Sequence, residues 1–196
     1  MNTTCRHLGV SAVLKGIDMS DVRVLILPGR GGSGADHWQT HWEAKHPEFI
    51  RVVQQEWDNP DRSEWVEALQ QVVAEDSRPT VFVAHSLSVS LVNQWAQKYS
   101  ANIKGALLVA PSDVEAPNYA PGTTGFTPIP LNPLPFKSIV VASEDDPRVS
   151  LERAQLFADK WGSRLEIAGA LGHMGSASLL KDWPFAYRFL LELVEA

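Results

Sequence analysis

From Val22 onward, short apolar runs alternate with amphipathic stretches along the chain. Six runs rich in Val, Ile and Leu, at 22–27, 49–54, 80–84, 103–110, 138–142 and 164–168, read as strands. Between and after most of them lie helix-like segments, at about 34–45, 62–75, 87–99, 150–161 and 183–194. In the second of these, Trp65, Leu69, Val72 and Val73 recur at helical spacing. Strands separated by single helices must pair in parallel, because a parallel neighbour is reached only through a crossover. Several strands are apolar without alternation, as in a sheet covered on both faces. The expected fold is α/β: a three-layer domain over residues 22–196 with a mostly parallel sheet of about six strands. Residues 1–21 read as an irregular N-terminal extension, with Met19 a candidate natural start of the folded domain.

One connection breaks the rhythm. Pro111, Pro117, Pro121, Pro128, Pro130, Pro133 and Pro135 fall within one stretch, with Gly122 and Gly125 among them. Proline lacks an amide hydrogen and clashes with the preceding helical turn, so this segment is not a long helix. A loop of this length is usually functional or disordered. It reads first as a surface crossover stiffened by proline, with an active-site cover as the alternative, and it is too short to form a cap domain.

Composition narrows the class. At 44% hydrophobic and 20% charged, the chain of 196 residues is an ordinary globular domain. Its formal charge of −6, with no basic run, argues against nucleic acid as a partner. The single cysteine, Cys5, cannot close an internal disulfide, which suits a reducing cytoplasm. Arg6, His7, Lys15 and Asp18 interrupt the apolar stretch that a signal peptide would need. No segment approaches the ~18 apolar residues that span a bilayer. The expectation is a cytoplasmic, soluble protein without a membrane partner.

In an open parallel sheet, chemistry gathers at the carboxyl ends of the strands. A glycine-rich loop, Pro28 to Gly34, follows the first strand, and His85-Ser86-Leu87-Ser88 follows the third. Pro111-Ser112-Asp113 follows the fourth, Ser143 to Pro147 the fifth, and Gly169 to Gly175 the sixth. Ser86 thus stands between a buried strand and a helix, the setting of a nucleophile elbow, with small Ala84 and Ser88 where glycine is usual. A serine, an acid and a histidine therefore occur in the chain order of the α/β-hydrolase triad. Ser86 needs a base to become nucleophilic, and His173 between Gly172 and Gly175 can supply one. The acid would fix the imidazole tautomer. Asp146 is the candidate, with Glu144, Asp145 and Asp113 as competitors.

The glycine-rich loop has neither the Gly-x-Gly-x-x-Gly spacing of a dinucleotide site nor the Lys-Ser/Thr of a P-loop. Its glycines can instead turn backbone N–H groups towards an oxyanion, and the expected donors are the N–H groups of Leu87 and Arg30. His37, Trp38 and Asp113 are the candidate substrate-pocket residues. His37 and His41, four apart, could share a helix face, but no third metal ligand is evident and none is expected to bind. No cofactor is expected.

The set Leu27-Pro28-Gly29-Arg30-Gly31-Gly32, Asp36-His37-Trp38-Gln39-Thr40-His41-Trp42, Ala84-His85-Ser86-Leu87, Val109-Ala110-Pro111-Ser112-Asp113, Asp145-Asp146-Pro147 and Gly172-His173 resembles the small, cap-less serine hydrolases related to retinoblastoma-binding protein 9. Asp146-Pro147-Arg148-Val149 also resembles the Asp-x-x-Val step common after the penultimate strand of such enzymes. The resemblance runs from about Val22 to the C-terminus. It implies a compact α/β-hydrolase fold, a Ser86, Asp146 and His173 triad, and an esterase or aminopeptidase-like activity. Ser88 departs from the glycine common at its step. The Leu-x-Cys-x-Glu motif for the tumour-suppressor partner is absent, so that partner is not implied. The resulting expectation is a serine hydrolase that cleaves a small ester, amide or thioester through an acyl-enzyme. A catalytically silent binding module on the same scaffold, or a flavodoxin-like cofactor binder, are the alternatives.

Overall fold

Every apolar run becomes a strand and every amphipathic stretch a helix in the computed structural model, which describes residues 21–196. The expectations for residues 1–20, including Met19, lie outside the described residues. In chain order the elements are β1 (Arg23–Leu27), α1 (Trp38–Lys45), β2 (Ile50–Arg51), α2 (Arg62–Ala74), β3 (Thr80–His85), α3 (Leu87–Lys98), β4 (Ile103–Val109), β5 (Lys137–Ala142), α4 (Leu151–Trp161), β6 (Arg164–Ile167) and α5 (Pro184–Glu195). The six strands form one sheet in the order β2-β1-β3-β4-β5-β6, and every neighbouring pair is parallel.

Successive strand residues point to opposite faces. Leu25, Leu27, Phe82 and Ala84 therefore join Trp65, Leu69, Trp95 and Phe157 of α2, α3 and α4 in one core. Val24, Ile26, Val81 and Val83 join Trp38, Trp42, Leu190 and Leu193 of α1 and α5 in the other. Burial on both faces is why these strands read as unbroken apolar runs.

The strand order also locates the site. From β1 the chain moves outward to β2, then returns to lay β3 on the other side of β1. The connections leaving β1 and β3 thus diverge, and a crevice opens between two adjacent strand ends. Gly29 lies at one end and Ser86 at the other.

Two boundaries differ from the sequence expectation for physical reasons. β2 spans two residues rather than six because it pairs only with β1, at Leu25 with Ile50 and Ile26 with Arg51, and β1 ends before Pro28. α1 starts at Trp38 rather than Gly34 because His37 turns back onto Gly34, its N–H donating to that carbonyl at 3.0 Å. The His37 side chain then caps the helix, with Nδ1 accepting from Gln39 N–H at 3.2 Å.

The proline-rich crossover from β4 to β5 has no helix or strand, yet it is packed. Phe126, Ile129 and Leu134 are buried in the first core. The Gln94 amide of α3 donates to the carbonyls of Phe126 and Pro128 at 3.2 and 3.0 Å.

Candidate active site

One residue, Ser86, makes the turn from β3 to α3. Its φ of 59° and ψ of −122° form a strained combination that a non-glycine residue keeps only when its surroundings enforce it. The enforcement is visible. Ser86 N–H donates to Val109 O of the adjacent strand at 2.9 Å, and Val89 N–H donates to Ser86 O at 3.0 Å. Ala84 is fully buried beneath the turn. Ser88, where glycine is usual, donates its hydroxyl to Pro28 O at 2.6 Å and so ties the first turn of α3 to the end of β1. On the other flank, a Cβ on Gly29 would lie 2.7 Å from Ser86 Cβ and 2.9 Å from His85 O, so only glycine lets the β1 loop pass the elbow.

His173 reaches Ser86 from the loop after β6. Its Nε2 stands 2.7 Å from Ser86 Oγ, and its Nδ1 stands 2.9 Å from both carboxylate oxygens of Asp146, whose side chain is fully buried. Asp146 Oδ1 also accepts from Arg148 N–H at 2.8 Å. The competing acids do other work. Asp145 accepts from Gly172 N–H at 2.7 Å and from the Ser143 hydroxyl at 2.8 Å, fastening the histidine loop to the end of β5. Those bonds, the Gly172 N–H foremost, hold the Asp145 carboxyl below its usual range. Glu144 is exposed. His85 adds another fastening, its Nε2–H donating to His173 O at 2.9 Å.

These distances order the protons. A carboxylate cannot donate, so the proton of neutral His173 sits on Nδ1, and Nε2 accepts the Ser86 hydroxyl proton. The second neighbour of Ser86 Oγ is Ser112 Oγ, 2.8 Å away. With the Ser86 proton committed to His173, Ser112 is the donor in that contact. Tyr119 lines the same pocket, and burial keeps its phenol protonated by raising its pKa.

Above Ser86 lies a pocket of about 400 Å³ lined by Arg30, His37, Asp58, Ser112, Tyr119, Arg148 and His173 among others. In the glycine-rich loop, Gly31 N–H donates to Trp57 O at 2.9 Å and Gly32 N–H to Gly29 O at 3.0 Å. The N–H groups of Arg30 and Leu87 have no partner among the described residues.

The pocket expectation needs correction at two positions. His37 lines it, but Trp38 is fully buried in the second core, where its Nε1 donates to Met174 O at 2.9 Å. Asp113 does not line it either, because Arg153 draws its carboxylate away, with Nε donating at 3.0 Å. The residue one position earlier, Ser112, faces the nucleophile instead. His37 is held neutral: burial, then Arg51 and then His173 lower its pKa to about 4. With Nδ1 accepting the cap bond, its Nε2 carries the proton and finds no partner. His85 is likewise pushed well below the usual histidine range, chiefly by burial. His41 is half-buried one turn along α1, and no cluster of three His, Cys, Asp or Glu suited to a metal occurs among the described residues.

Tyr119, Arg148 and Gln39 had no clear sequence signal. Gln39 is fully buried and donates to Leu27 O and Val83 O at 3.2 and 3.0 Å, binding α1 to the strands that carry the site.

A family model described as serine hydrolase matches residues 24–192. Among solved structures, a YdeN-like hydrolase from Pectobacterium atrosepticum aligns with a TM-score of 0.80 at 28% identity, covering 89% of this chain and 91% of that one. The ydeN gene product of Bacillus subtilis aligns at 0.68 and 17% identity over 89% and 99%. Est1E from Butyrivibrio proteoclasticus, solved with ferulic acid bound, aligns at 0.68 and 12% identity over 89% and 90%. At the last two identities the likeness is one of fold. No curated protein matches the chain.

Proposed function

The chain belongs to the serine hydrolase family and has a compact α/β-hydrolase fold, and from that premise we propose that it cleaves a small ester, amide or thioester through an acyl-enzyme on Ser86. One observation carries the reading: Ser86 Oγ, His173 and the buried Asp146 form an unbroken hydrogen-bonded line at a switch point of the sheet.

In this mechanism Ser86 Oγ attacks the carbonyl carbon as its proton passes to His173 Nε2. Asp146 accepts the Nδ1–H bond and stabilises the imidazolium. The N–H groups of Leu87 and Arg30 receive the developing oxyanion, and loss of one such donor typically costs 10²–10³-fold in rate, as a rough guide. His173 then protonates the leaving group, and water repeats the sequence on the acyl-enzyme. Ser112 is a positioning residue: by donating to Ser86 Oγ it leaves the nucleophile's proton only one acceptor. The motifs around these residues also support kinship with the cap-less enzymes related to retinoblastoma-binding protein 9. The single cysteine supports a cytoplasmic location, and among the described residues no helix is long and apolar enough to cross a membrane.

The test is labelling with a fluorophosphonate probe, followed by peptide mapping and p-nitrophenyl acetate hydrolysis. The label is expected on Ser86, and Ser86→Ala removes both label and turnover. A label on Ser112 would move the nucleophile, and no label at all would leave a binding module.

A further inference from the structure

The pocket carries a charge opposite to that of the molecule. The chain has a formal charge of −6, yet the lining residues include two arginines, Arg30 and Arg148, and one acid, Asp58. Among the described residues outside the pocket, Arg62 and Arg188 have no carboxylate partner, but Arg23, Arg51, Arg78, Arg153 and Arg164 each pair with a carboxylate. The two at the pocket do not. Arg30 is held by main-chain carbonyls, Nε donating to Asp58 O at 2.8 Å and Nη1 to Ala120 O at 3.1 Å, which fixes the guanidinium without cancelling its charge. Arg148 is exposed, and its guanidinium makes no hydrogen bond or ion pair among the described residues.

Both guanidinium groups act on the same point. Each exerts its field on the Tyr119 hydroxyl, which lines the pocket with Ser112, itself 2.8 Å from Ser86 Oγ. A group beside Tyr119 therefore lies in the same pocket as the reacting atom. His37 and His85 are neutral and add no charge to that field. A concave site of one sign draws ligands of the other, and a guanidinium fork fits a carboxylate in particular. Beyond Arg148 the surface continues into a second depression formed by Ala116, Asn118, Tyr119 and Pro147, which gives room for the rest of such a molecule.

We propose that the substrate opened by Ser86 carries a carboxylate, seated between Arg30 and Arg148 beside Tyr119. This rests on the serine-hydrolase mechanism above and specifies its substrate class. It also separates the two activities implied by the sequence resemblance. The free ammonium of an aminopeptidase substrate would meet two guanidinium groups, with Asp58 in the lining and Asp146 committed to His173 behind it.

Two matched pairs of esters test the proposal and show which side of the scissile bond bears the charge. In the first, the mono-p-nitrophenyl ester of adipic acid is compared with its methyl ester, placing the anion on the acyl group. In the second, 3-acetoxybenzoate is compared with methyl 3-acetoxybenzoate, placing it on the leaving group. In at least one pair, kcat/KM is expected to be about tenfold higher for the anion at low salt, with the margin shrinking as ionic strength rises. Arg148→Met should erase most of the margin, and Arg148→Lys should keep part of it. No margin in either pair, a margin that survives Arg148→Met, or faster turnover of p-nitrophenyl alaninate than of the anions would overturn the proposal. Calorimetry of the same pairs on Ser86→Ala protein separates this from a failure of the mechanism. Tighter binding of an anion there upholds the pocket's preference even if the wild type turns over nothing, whereas equal binding within each pair refutes it.

Discussion

The side of the pocket contributed by β1 and α3 is built from main chain, whereas the side contributed by the proline-rich crossover is built from side chains. On the first, the working parts are the turn at Ser86, the close passage at Gly29 and the N–H groups of Arg30 and Leu87. On the second, they are the Ser112 hydroxyl and the Tyr119 phenol, joined by the Arg148 guanidinium from the loop after β5. Main-chain geometry tolerates almost no change, because one added carbon at Gly29 meets two fixed atoms. Side-chain walls change by degrees. The proposed bond-making machinery thus stands where substitution is nearly forbidden, and the proposed discriminating contacts stand where it is graded.

The largest effects should fall on the main-chain side. Ser86→Ala is expected to lower kcat/KM on the order of 10⁶-fold, as removal of a triad serine does. Gly29→Ala should bring most of that loss although it touches no reacting group, and its crystal structure should show the elbow displaced. Activity within tenfold of wild type in Gly29→Ala would break the contrast. Next comes the acid. Asp146→Asn should cost about 10⁴-fold in kcat through the wrong histidine tautomer. Asp113→Asn, which loosens a part-buried pair with Arg153 outside the pocket, should change it less than about threefold. The reverse ranking would hand the role to Asp113.

A third effect reaches the base of the pocket through His37. Its folded-state pKa of about 4 lies below the ordinary 6.5, so between those values the unfolded chain takes up a proton that the folded chain refuses. Stability should therefore be fully present above pH 6.5 and fall as the pH drops towards 4, by about 3 kcal/mol from this residue. Urea midpoints measured across that range should slope less steeply in His37→Gln, and an unchanged slope would mean that His37 is not held neutral. The smallest effect belongs to the side-chain wall. Ser112→Ala should lower kcat about three- to tenfold with little change in KM, the scale of one hydrogen bond. A loss confined to KM would make Ser112 a substrate contact rather than a positioning residue.

The strands and the order of serine, acid and histidine were legible because both depend on local pattern. Burial on two faces writes an apolar run, and each reactive residue follows directly on such a run. Which residues line the pocket was not legible, since what turns Asp113 and Trp38 away from it joins distant positions: Arg153 reaches Asp113 across 40 residues, and Trp38 reaches Met174 across 136. Proximity in sequence to the glycine-rich loop placed Trp38 in the pocket, but the first turn of α1 directs it inward. At the end of β4 the titratable Asp113 drew attention from Ser112, although adjacent residues there point different ways. The serine at position 88 looked like a departure from pattern until its partner, Pro28, was visible.

That hydroxyl has a thermal consequence. Ser88 joins the helix behind Ser86 to the strand end before the glycine-rich loop, and both parts hang on fully buried strands. Among the described residues no separate cap stands over the site to loosen first. Warming should therefore leave the site assembled until the sheet itself gives way, so that inactivation and melting arrive together.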